Sequence, residues 1–166
     1  MNVGKLLKIG SKKLKDNNIK SFLIDSEIIL ASVLNKKRED ILVNNNELIC
    51  ESKINNFHNL IKRRSINEPI AYILNKKEFW KYDFLVTKDT LIPRPETELL
   101  VEKICYENFR SRPYILDIGT GSGCIILSIL KEIKNSKGIG VDISKSAINV
   151  AKVNAKNLNF IIRKYN

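Results

Sequence analysis

Apolar residues in the first 75 positions recur every three or four residues, which is typical of amphipathic helices. The spacing predicts helices over residues 3–15, from about residue 21 to residue 34, and over residues 50–64. Pro69 suits the first position of a short helix, which we place at residues 70–74. The sequence therefore predicts a helical domain over residues 1–75.

Two polar residues in this region have predicted structural roles. Ser21 precedes the second apolar stripe, where a serine side chain can cap the helix. His58 lies at the edge of the third stripe, with no acid or nucleophile close in sequence. We therefore expect His58, the only histidine in the chain, to be a partly buried structural residue.

An aromatic segment follows at residues 79–87, FWKYDFLVT. Its aromatic and β-branched residues predict a hairpin or two short strands, and we take residues 76–92 as a hairpin linker. Phe79, Trp80 and Phe84 are expected to be buried. The alternative is that aromatic rings beside lysines form a platform on which nucleic-acid bases stack.

The pattern changes after residue 93. Pro95 should begin a helix whose apolar side carries Leu99, Leu100 and Ile104, with Glu96 and Glu98 in its first turn. Short apolar runs and helical spacing then alternate. They predict strands and helices in the order strand 114–118, helix 124–130, strand 138–143, a helix with Ala147, Ile148, Ala151 and Ala155, and strand 160–162. This alternation is typical of an α/β domain with a parallel sheet.

Composition narrows the classes of protein. The chain has 166 residues, 43% of them hydrophobic, enough for one domain or two small ones. No apolar run approaches the length of a membrane-spanning helix, and the lysine-rich start is unlike a secretory signal, although an organelle presequence stays open. The net charge of +11 is spread evenly, with +5 over residues 1–75 and +6 over residues 76–166.

Two explanations account for the positive charge. A basic chain attracts anionic partners such as nucleic acid or ribosomes. The chain also contains 22 Lys, 19 Asn and 25 Ile, residues whose codons are rich in A and T. A biased genome would raise all three together, and we favour it as the main cause of the charge.

The cysteines exclude some chemistry. Cys50, Cys105 and Cys124 are far apart, and no Cys-x-x-Cys pair occurs. A disulfide scaffold and a zinc site are therefore not expected, and we predict no metal site. A reducing cytoplasm suits this pattern best.

Glycines cluster where the first strand of the α/β region should turn into a helix. Asp117 is followed by Gly119, Gly121 and Gly123, in a chain with only seven glycines. Glycines there allow a ligand to approach the backbone, and a helix N-terminus offers free N–H groups. Asp142, at the end of the next strand, can accept hydrogen bonds from both ribose hydroxyls of a nucleoside.

The spacing distinguishes between cofactors. The dinucleotide fingerprint needs Gly or Ala at position 124, which is Cys124. The pattern G-x-G-x-G, with an acid two residues before the first glycine, is instead the S-adenosylmethionine pattern. Thr120 and Ser122 complete the predicted cofactor loop.

Two segments resemble the release factor glutamine methyltransferases: LIPRPETE at residues 91–98 and ILDIGTGSGC at residues 115–124. Upstream, EPIAY at residues 68–72 and EFW at residues 78–80 resemble the junction that follows this family's helical domain. The glycine motif alone is a superfamily signal, whereas the proline-rich segment is specific. The resemblance covers the chain from about residue 5 to its end.

The resemblance implies a function. The family transfers a methyl group from S-adenosylmethionine to the side-chain nitrogen of the glutamine in the Gly-Gly-Gln loop of class I peptide-release factors. It also implies that Gly119, Thr120, Gly121, Ser122 and Gly123 contact the cofactor and that Asp142 holds its ribose. Residues 1–75 would recognise the substrate, and residues 93–166 would form part of a Rossmann-like class I methyltransferase domain. The resemblance further implies a cytoplasmic protein that would act in translation termination near the ribosome and would bind no membrane and no specific nucleic-acid sequence.

One family motif is missing. Asn-Pro-Pro-Tyr, which positions the glutamine in this family, does not occur, since the four prolines are Pro69, Pro93, Pro95 and Pro113. We therefore expect a C-terminally truncated member with no catalytic residue of its own and no activity as residues 1–166. We also expect it to be sticky, because the strand at 114–118 would be an apolar edge. Two alternatives stay open: a non-catalytic protein that binds release factors or ribosomes, and a nucleic-acid amino-methyltransferase.

Overall fold

The fold is seen in a computed structural model that describes residues 1–107, 109 and 112–162. The chain divides into two compact units, Met1–Leu74 and Asn75–Asn166. The first unit is helical and the second is mixed α/β with a parallel pair of strands. The predicted fold class, a small all-α region followed by a parallel α/β region, is confirmed.

The first unit contains the predicted helices and one more. The helices are α1 (Val3–Asp16), α2 (Phe22–Leu34), α3 (Arg38–Val43), α4 (Glu51–Ser65) and α5 (Ile70–Leu74). The short helix α3 was not predicted, because its six residues carry too few apolar positions to show a period. Side chains such as Leu6, Ile29 and Phe57 form the core between α1, α2 and α4.

Ser21 is the N-cap residue of α2, as predicted, but its side chain makes no capping hydrogen bond. Its hydroxyl donates instead to a carboxylate oxygen of Asp25, at 2.7 Å. The same oxygen of Asp25 accepts a 2.7 Å hydrogen bond from Nε of Arg64 in α4. The side chain of Ser21 therefore bonds to the buried Asp25 and not to a free amide of the helix. His58 is half-buried, as predicted.

The second unit begins with a hairpin and continues as alternating strands and helices. Its elements are β1 (Lys77–Phe79), β2 (Tyr82–Phe84), a 3₁₀ turn (Pro95–Thr97), α6 (Glu98–Cys105), β3 (Tyr114–Ile118), α7 (Cys124–Glu132), β4 (Lys137–Val141) and α8 (Lys145–Asn157). A core of apolar side chains from the hairpin, α6, α7 and α8 holds this unit together.

The predicted hairpin is confirmed. Strands β1 and β2 pair antiparallel, and Phe79 and Phe84 are each only 1% exposed. Trp80, in the turn, is half-buried and has a left-handed backbone with φ of 58°. Because both phenylalanines are buried, these two rings cannot form a platform for bases.

Strands β3 and β4 are parallel, and their register pairs Tyr114 with Lys137 and Ile118 with Val141. Alternate residues of β3 point to opposite faces of this sheet. Ile115 packs against the core, whereas Leu116 and Ile118 are 62% and 79% exposed. One face of the sheet is therefore apolar and open in the described part of the chain.

The third strand predicted at residues 160–162 does not form. The amide of Phe160 donates to the carbonyl of Ala155 at 2.8 Å and so closes the end of α8. The ring of Phe160 packs on the core, while Ile161 is almost fully exposed. Residues 160–162 therefore follow the C-terminus of α8 and do not pair as a strand.

The apolar side predicted for α6 is wrong in part. Leu99 is 66% exposed and Leu100 is 47% exposed, whereas Val101 is fully buried and Ile104 packs on the core. Residues three apart lie on one face of a helix, so the pair Val101 and Ile104 turns Leu99 away from the core.

No helix in the described residues is long and apolar enough to cross a membrane. In the same part of the chain, no three His, Cys, Asp or Glu side chains are grouped closely enough to hold a metal ion.

Candidate functional site

The loop between β3 and α7 has an unusual backbone. Gly119, Gly121 and Gly123 all have positive φ, at 80°, 55° and 79°. Side chains disfavour this conformation, so glycine is needed at these positions. A Cβ added at Gly119 would meet no atom within 4 Å, and at Gly121 the nearest would be the Gly119 carbonyl oxygen at 4.0 Å. The backbone therefore forms an open cradle at these two glycines.

The far side of the same loop is tightly packed. A Cβ at Gly123 would lie 3.0 Å from Cδ1 of Leu127 and 3.3 Å from Cβ of Ala151. A Cβ at Gly140 in β4 would lie 2.9 Å from the hydroxyl of Thr120. The loop is thus held close to α7, α8 and β4 while its other side faces open space.

Asp142 follows β4 and contacts the loop directly. Its Oδ2 accepts a 2.9 Å hydrogen bond from the amide of Gly121, and its Oδ1 accepts one of the same length from the amide of Ser144. The backbone N–H groups of Ser144 and Gly121 lower the pKa of the Asp142 carboxyl. The group is therefore ionised at neutral pH. Each oxygen has a further lone pair, so Asp142 can still accept bonds from ligand hydroxyls.

Thr120 and Ser122 point inward. Thr120 is buried, and its hydroxyl donates to Asp117 at 2.8 Å. Ser122 is only 3% exposed. These two residues therefore stabilise the loop with their side chains and leave their backbone as the part that a ligand could contact.

Asn154, in α8, is a site residue that the sequence analysis missed. Its side-chain amide is buried and donates to the carbonyl of Ser122 at 2.8 Å and to the carbonyl of Leu85 at 2.9 Å. Its Oδ1 accepts a 2.7 Å bond from the amide of Leu85. The available signal was a polar residue at a helical-period core position beside Ala147 and Val150. With 19 asparagines in the chain, that signal was weak.

The segment at residues 91–98 is anchored at both ends. Pro93 is buried, and the carboxylate of Glu98 accepts a 2.9 Å bond from the amide of Trp80. Arg94 and Glu96 are exposed between these anchors. Because both side chains are exposed, we assign them no individual role.

The arrangement suits a nucleoside. It combines an open backbone cradle, the first-turn amides of α7 and an ionised carboxylate at the end of the neighbouring strand. The amides in the first turn of a helix have no partner within the helix and carry its positive dipole end. Asp142 and Gly121 are in direct contact, so a ligand in the cradle would meet both the loop and the carboxylate.

Comparison with known proteins agrees with this geometry. The model of the PrmC N-terminal domain matches residues 5–74, and the model of a methyltransferase domain matches residues 110–165. Curated relatives named release factor glutamine methyltransferase span nearly the whole chain. The one from Buchnera aphidicola subsp. Schizaphis graminum is 44% identical over 162 residues, which is 96% of this chain and 57% of the relative.

The chain belongs to the release factor glutamine methyltransferase family. A second relative of that name, from Aliivibrio fischeri, is 38% identical over 94% of this chain and 55% of its own length. A protein named bifunctional methyltransferase, from Rickettsia conorii, is 36% identical over 92% of this chain and 34% of its own length. The chain thus spans just over half the length of the release factor glutamine methyltransferases that it matches.

The cofactor of this family is S-adenosylmethionine, the methyl donor. The residues present fit it, because its ribose hydroxyls need an acceptor such as Asp142 and its close approach to backbone needs the open glycine cradle. The second unit is accordingly a partial Rossmann-like class I methyltransferase domain. The pair β3 and β4 supplies the strand ends at which the glycine loop and Asp142 meet.

Proposed function

We propose that the whole protein transfers a methyl group from S-adenosylmethionine to the side-chain amide nitrogen of the glutamine in the Gly-Gly-Gln loop of class I release factors. Residues 1–166 supply the cofactor-binding part of the site. The observation that carries the proposal is the open glycine cradle joined to the ionised carboxylate of Asp142. The relatives that match 94% and more of this chain carry the corresponding name.

Within this proposal the loop binds through its backbone. Gly119 and Gly121 provide the open surface, and Gly123 brings the loop to the N-terminus of α7. Thr120 and Ser122 contribute peptide groups, because their side chains are buried. Asp142 accepts hydrogen bonds from the ribose hydroxyls with the lone pairs that Gly121 and Ser144 leave free.

The bound cofactor supplies an electrophilic methyl group on a sulfonium. An amide nitrogen is a weak nucleophile, so the glutamine must be oriented towards that methyl group. In the family, Asn-Pro-Pro-Tyr accepts the N–H bonds of the glutamine, and this motif does not occur in residues 1–166. We therefore propose that these residues bind the cofactor but do not catalyse the transfer alone.

We assign the helical unit to the release factor. It matches the PrmC N-terminal domain and carries a net charge of +5 over residues 1–75. A basic surface favours approach to the ribosome without sequence-specific binding of nucleic acid. Since release factors act in translation, we place the protein in the cytoplasm.

The proposal is tested by incubating the purified chain with a class I release factor and S-adenosylmethionine labelled at the methyl group. A full-length relative from Buchnera serves as the positive control. We expect the immobilised chain to retain the release factor and to leave it unlabelled, while the full-length relative labels the glutamine. A release factor in which that glutamine is replaced by alanine should stay unlabelled with both.

Other outcomes separate the alternatives. Label in the release factor would contradict the proposed inactivity of residues 1–166, and failure to retain the factor would contradict the proposed partner. Retention without any binding of S-adenosylhomocysteine would favour a non-catalytic binding protein. Label in RNA or DNA would favour a nucleic-acid amino-methyltransferase.

A further inference from the structure

We propose that Asn154 is a positioning residue that fixes the cofactor loop at Ser122. The inference rests on the proposed function of the loop in binding S-adenosylmethionine. Asn154 lies in α8, 32 residues after Ser122 and 69 residues after Leu85, and connects both backbone segments through one side chain. Asn154 therefore acts on the cofactor only through the loop.

All the hydrogen-bonding groups of the Asn154 side chain are used. Its Nδ2 donates one hydrogen to Ser122 and the other to the carbonyl of Leu85, and its Oδ1 accepts from the amide of Leu85. The residue is 1% exposed, so water cannot replace these partners. A buried amide destabilises the fold unless its polar groups are hydrogen-bonded. The three bonds therefore indicate a defined structural role for this side chain.

The central peptide segment of the loop is held at two neighbouring residues. Asp142 binds the amide of Gly121, and Asn154 binds the carbonyl of Ser122. Between and beside them, Gly119, Gly121 and Gly123 have left-handed backbones that glycine can leave easily. The bond from Asn154 thus restrains a segment whose own sequence is permissive.

Loss of this restraint should lower the affinity of the folded chain for the cofactor, in addition to any loss of stability. A loop that samples other conformations binds with an affinity reduced by the fraction of time it spends in the competent one. If that fraction falls to about one tenth, the dissociation constant rises about tenfold. A purely structural role would lower the melting temperature without changing the affinity of the molecules that stay folded.

The test compares Asn154→Ala with Val150→Ala, a matched control on the same helix. Val150 is also buried, but its side chain makes no hydrogen bond to the loop. Calorimetry measures the affinity for S-adenosylhomocysteine well below both melting temperatures. We expect Asn154→Ala to weaken binding about tenfold and Val150→Ala to leave the affinity unchanged. The inference would be overturned if the two variants bound S-adenosylhomocysteine with equal affinity.

A second measurement needs no cofactor. Amide hydrogen exchange in the free chain should become faster at Gly121 and Gly123 in Asn154→Ala, relative to Ile129 in the core of the unit. Unchanged exchange at these glycines would refute the anchoring role even if the wild-type chain bound no cofactor. Failure of the wild-type chain to bind S-adenosylhomocysteine would instead refute the proposed function.

If Asn154→Ala fails to fold, Asn154→Ser is used for the same measurements. The serine hydroxyl can donate only one hydrogen bond, so the carbonyls of Ser122 and Leu85, which both accept from Asn154, cannot both be held. Faster exchange at Gly121 is then expected, and exchange as slow as in the wild-type chain would overturn the inference.

Discussion

The amide of Gly121 donates a 2.9 Å hydrogen bond to Oδ2 of Asp142, and this bond joins the loop after β3 to the residue after β4. Two predicted cofactor-binding features, separated by 21 residues in sequence, are therefore one connected structure. Because the bond uses only part of the carboxylate, Asp142 can both shape the loop and receive a ligand.

The binding of cofactor should be insensitive to pH until strongly acidic conditions. Backbone N–H groups lower the pKa of Asp142, so the folded protein keeps this carboxylate ionised to a lower pH than an ordinary aspartate. The contribution of this carboxylate to the free energy of unfolding is fully present above the pKa of an unfolded aspartate, about 3.9. It is lost as the pH falls through the lower pKa of the folded state. Calorimetric titration with S-adenosylhomocysteine should give a constant affinity from about pH 8 down to about pH 5. A loss of affinity centred above pH 5 that disappears in Asp142→Asn would contradict this assignment.

Gly119→Ala should weaken cofactor binding by filling the cradle. The added Cβ meets no protein atom within 4 Å, so it does not clash with the fold itself. The left-handed backbone at φ of 80° should still reduce the free energy of unfolding by about 1–2 kcal/mol. Affinity for S-adenosylhomocysteine and chemical denaturation measure the two effects separately.

The control for that substitution is Gly4→Ala in α1. Its Cβ would have ordinary contacts with Asn45 at 3.5 Å or more, in a helix that favours alanine. It should stabilise the chain by up to about 1 kcal/mol and leave cofactor affinity unchanged. Unchanged affinity in Gly119→Ala would show that the cradle is not the binding surface.

Asp25→Ala should strongly destabilise the helical unit. The side chains of Asp25 and Arg64 are 7% and 16% exposed, so the substitution leaves a largely buried guanidinium without its carboxylate. Breaking such a pair costs about 3–5 kcal/mol of unfolding free energy. The matched control is Asp83→Ala, which breaks the exposed pair with Lys76 and should cost less than about 1 kcal/mol. Similar losses in both variants, measured by chemical denaturation, would disprove the buried role.

The chain should self-associate through the open face of its parallel strands. Leu116 and Ile118 expose apolar side chains on that face, and exposed apolar surface promotes association. The double substitution Leu116→Ser and Ile118→Ser should shift the chain towards a monomer in size-exclusion chromatography with light scattering. Substituting Val43 and Leu48 by serine, at exposed positions of the helical unit, is the control. A wild-type chain that is a stable monomer at high concentration would contradict the prediction.

Local patterns in the sequence were sufficient for most of the fold. Helical spacing predicted α1, α2, α4 and α8 because each helix buries one face. The hairpin and strand β3 followed from short aromatic or branched runs. The glycine spacing and Asp142 predicted a nucleoside site at the ends of two strands, and in the structure Gly121 and Asp142 are directly bonded.

The features that the sequence did not predict depend on partners that are distant in the chain. The hydroxyl of Ser21 bonds to Asp25 instead of to an amide of α2, and the same carboxylate oxygen of Asp25 accepts from Arg64, 39 residues beyond Asp25. Residues 160–162 are aromatic or β-branched, which favours a strand, but a strand also needs a partner to pair with. The amide of Phe160 instead bonds to the carbonyl of Ala155 at the end of α8. Asn154 acquires its role from Leu85, 69 residues away, which no local pattern reveals.

The most direct test of the account is calorimetric titration of the purified chain with S-adenosylhomocysteine, alongside Asp142→Asn and the exposed control Asp83→Asn. We predict binding at one site per chain, unchanged in Asp83→Asn and weakened at least about tenfold in Asp142→Asn. No binding by the folded wild-type chain, or equal affinity in all three proteins, would contradict the claim that the glycine cradle and Asp142 form a cofactor site.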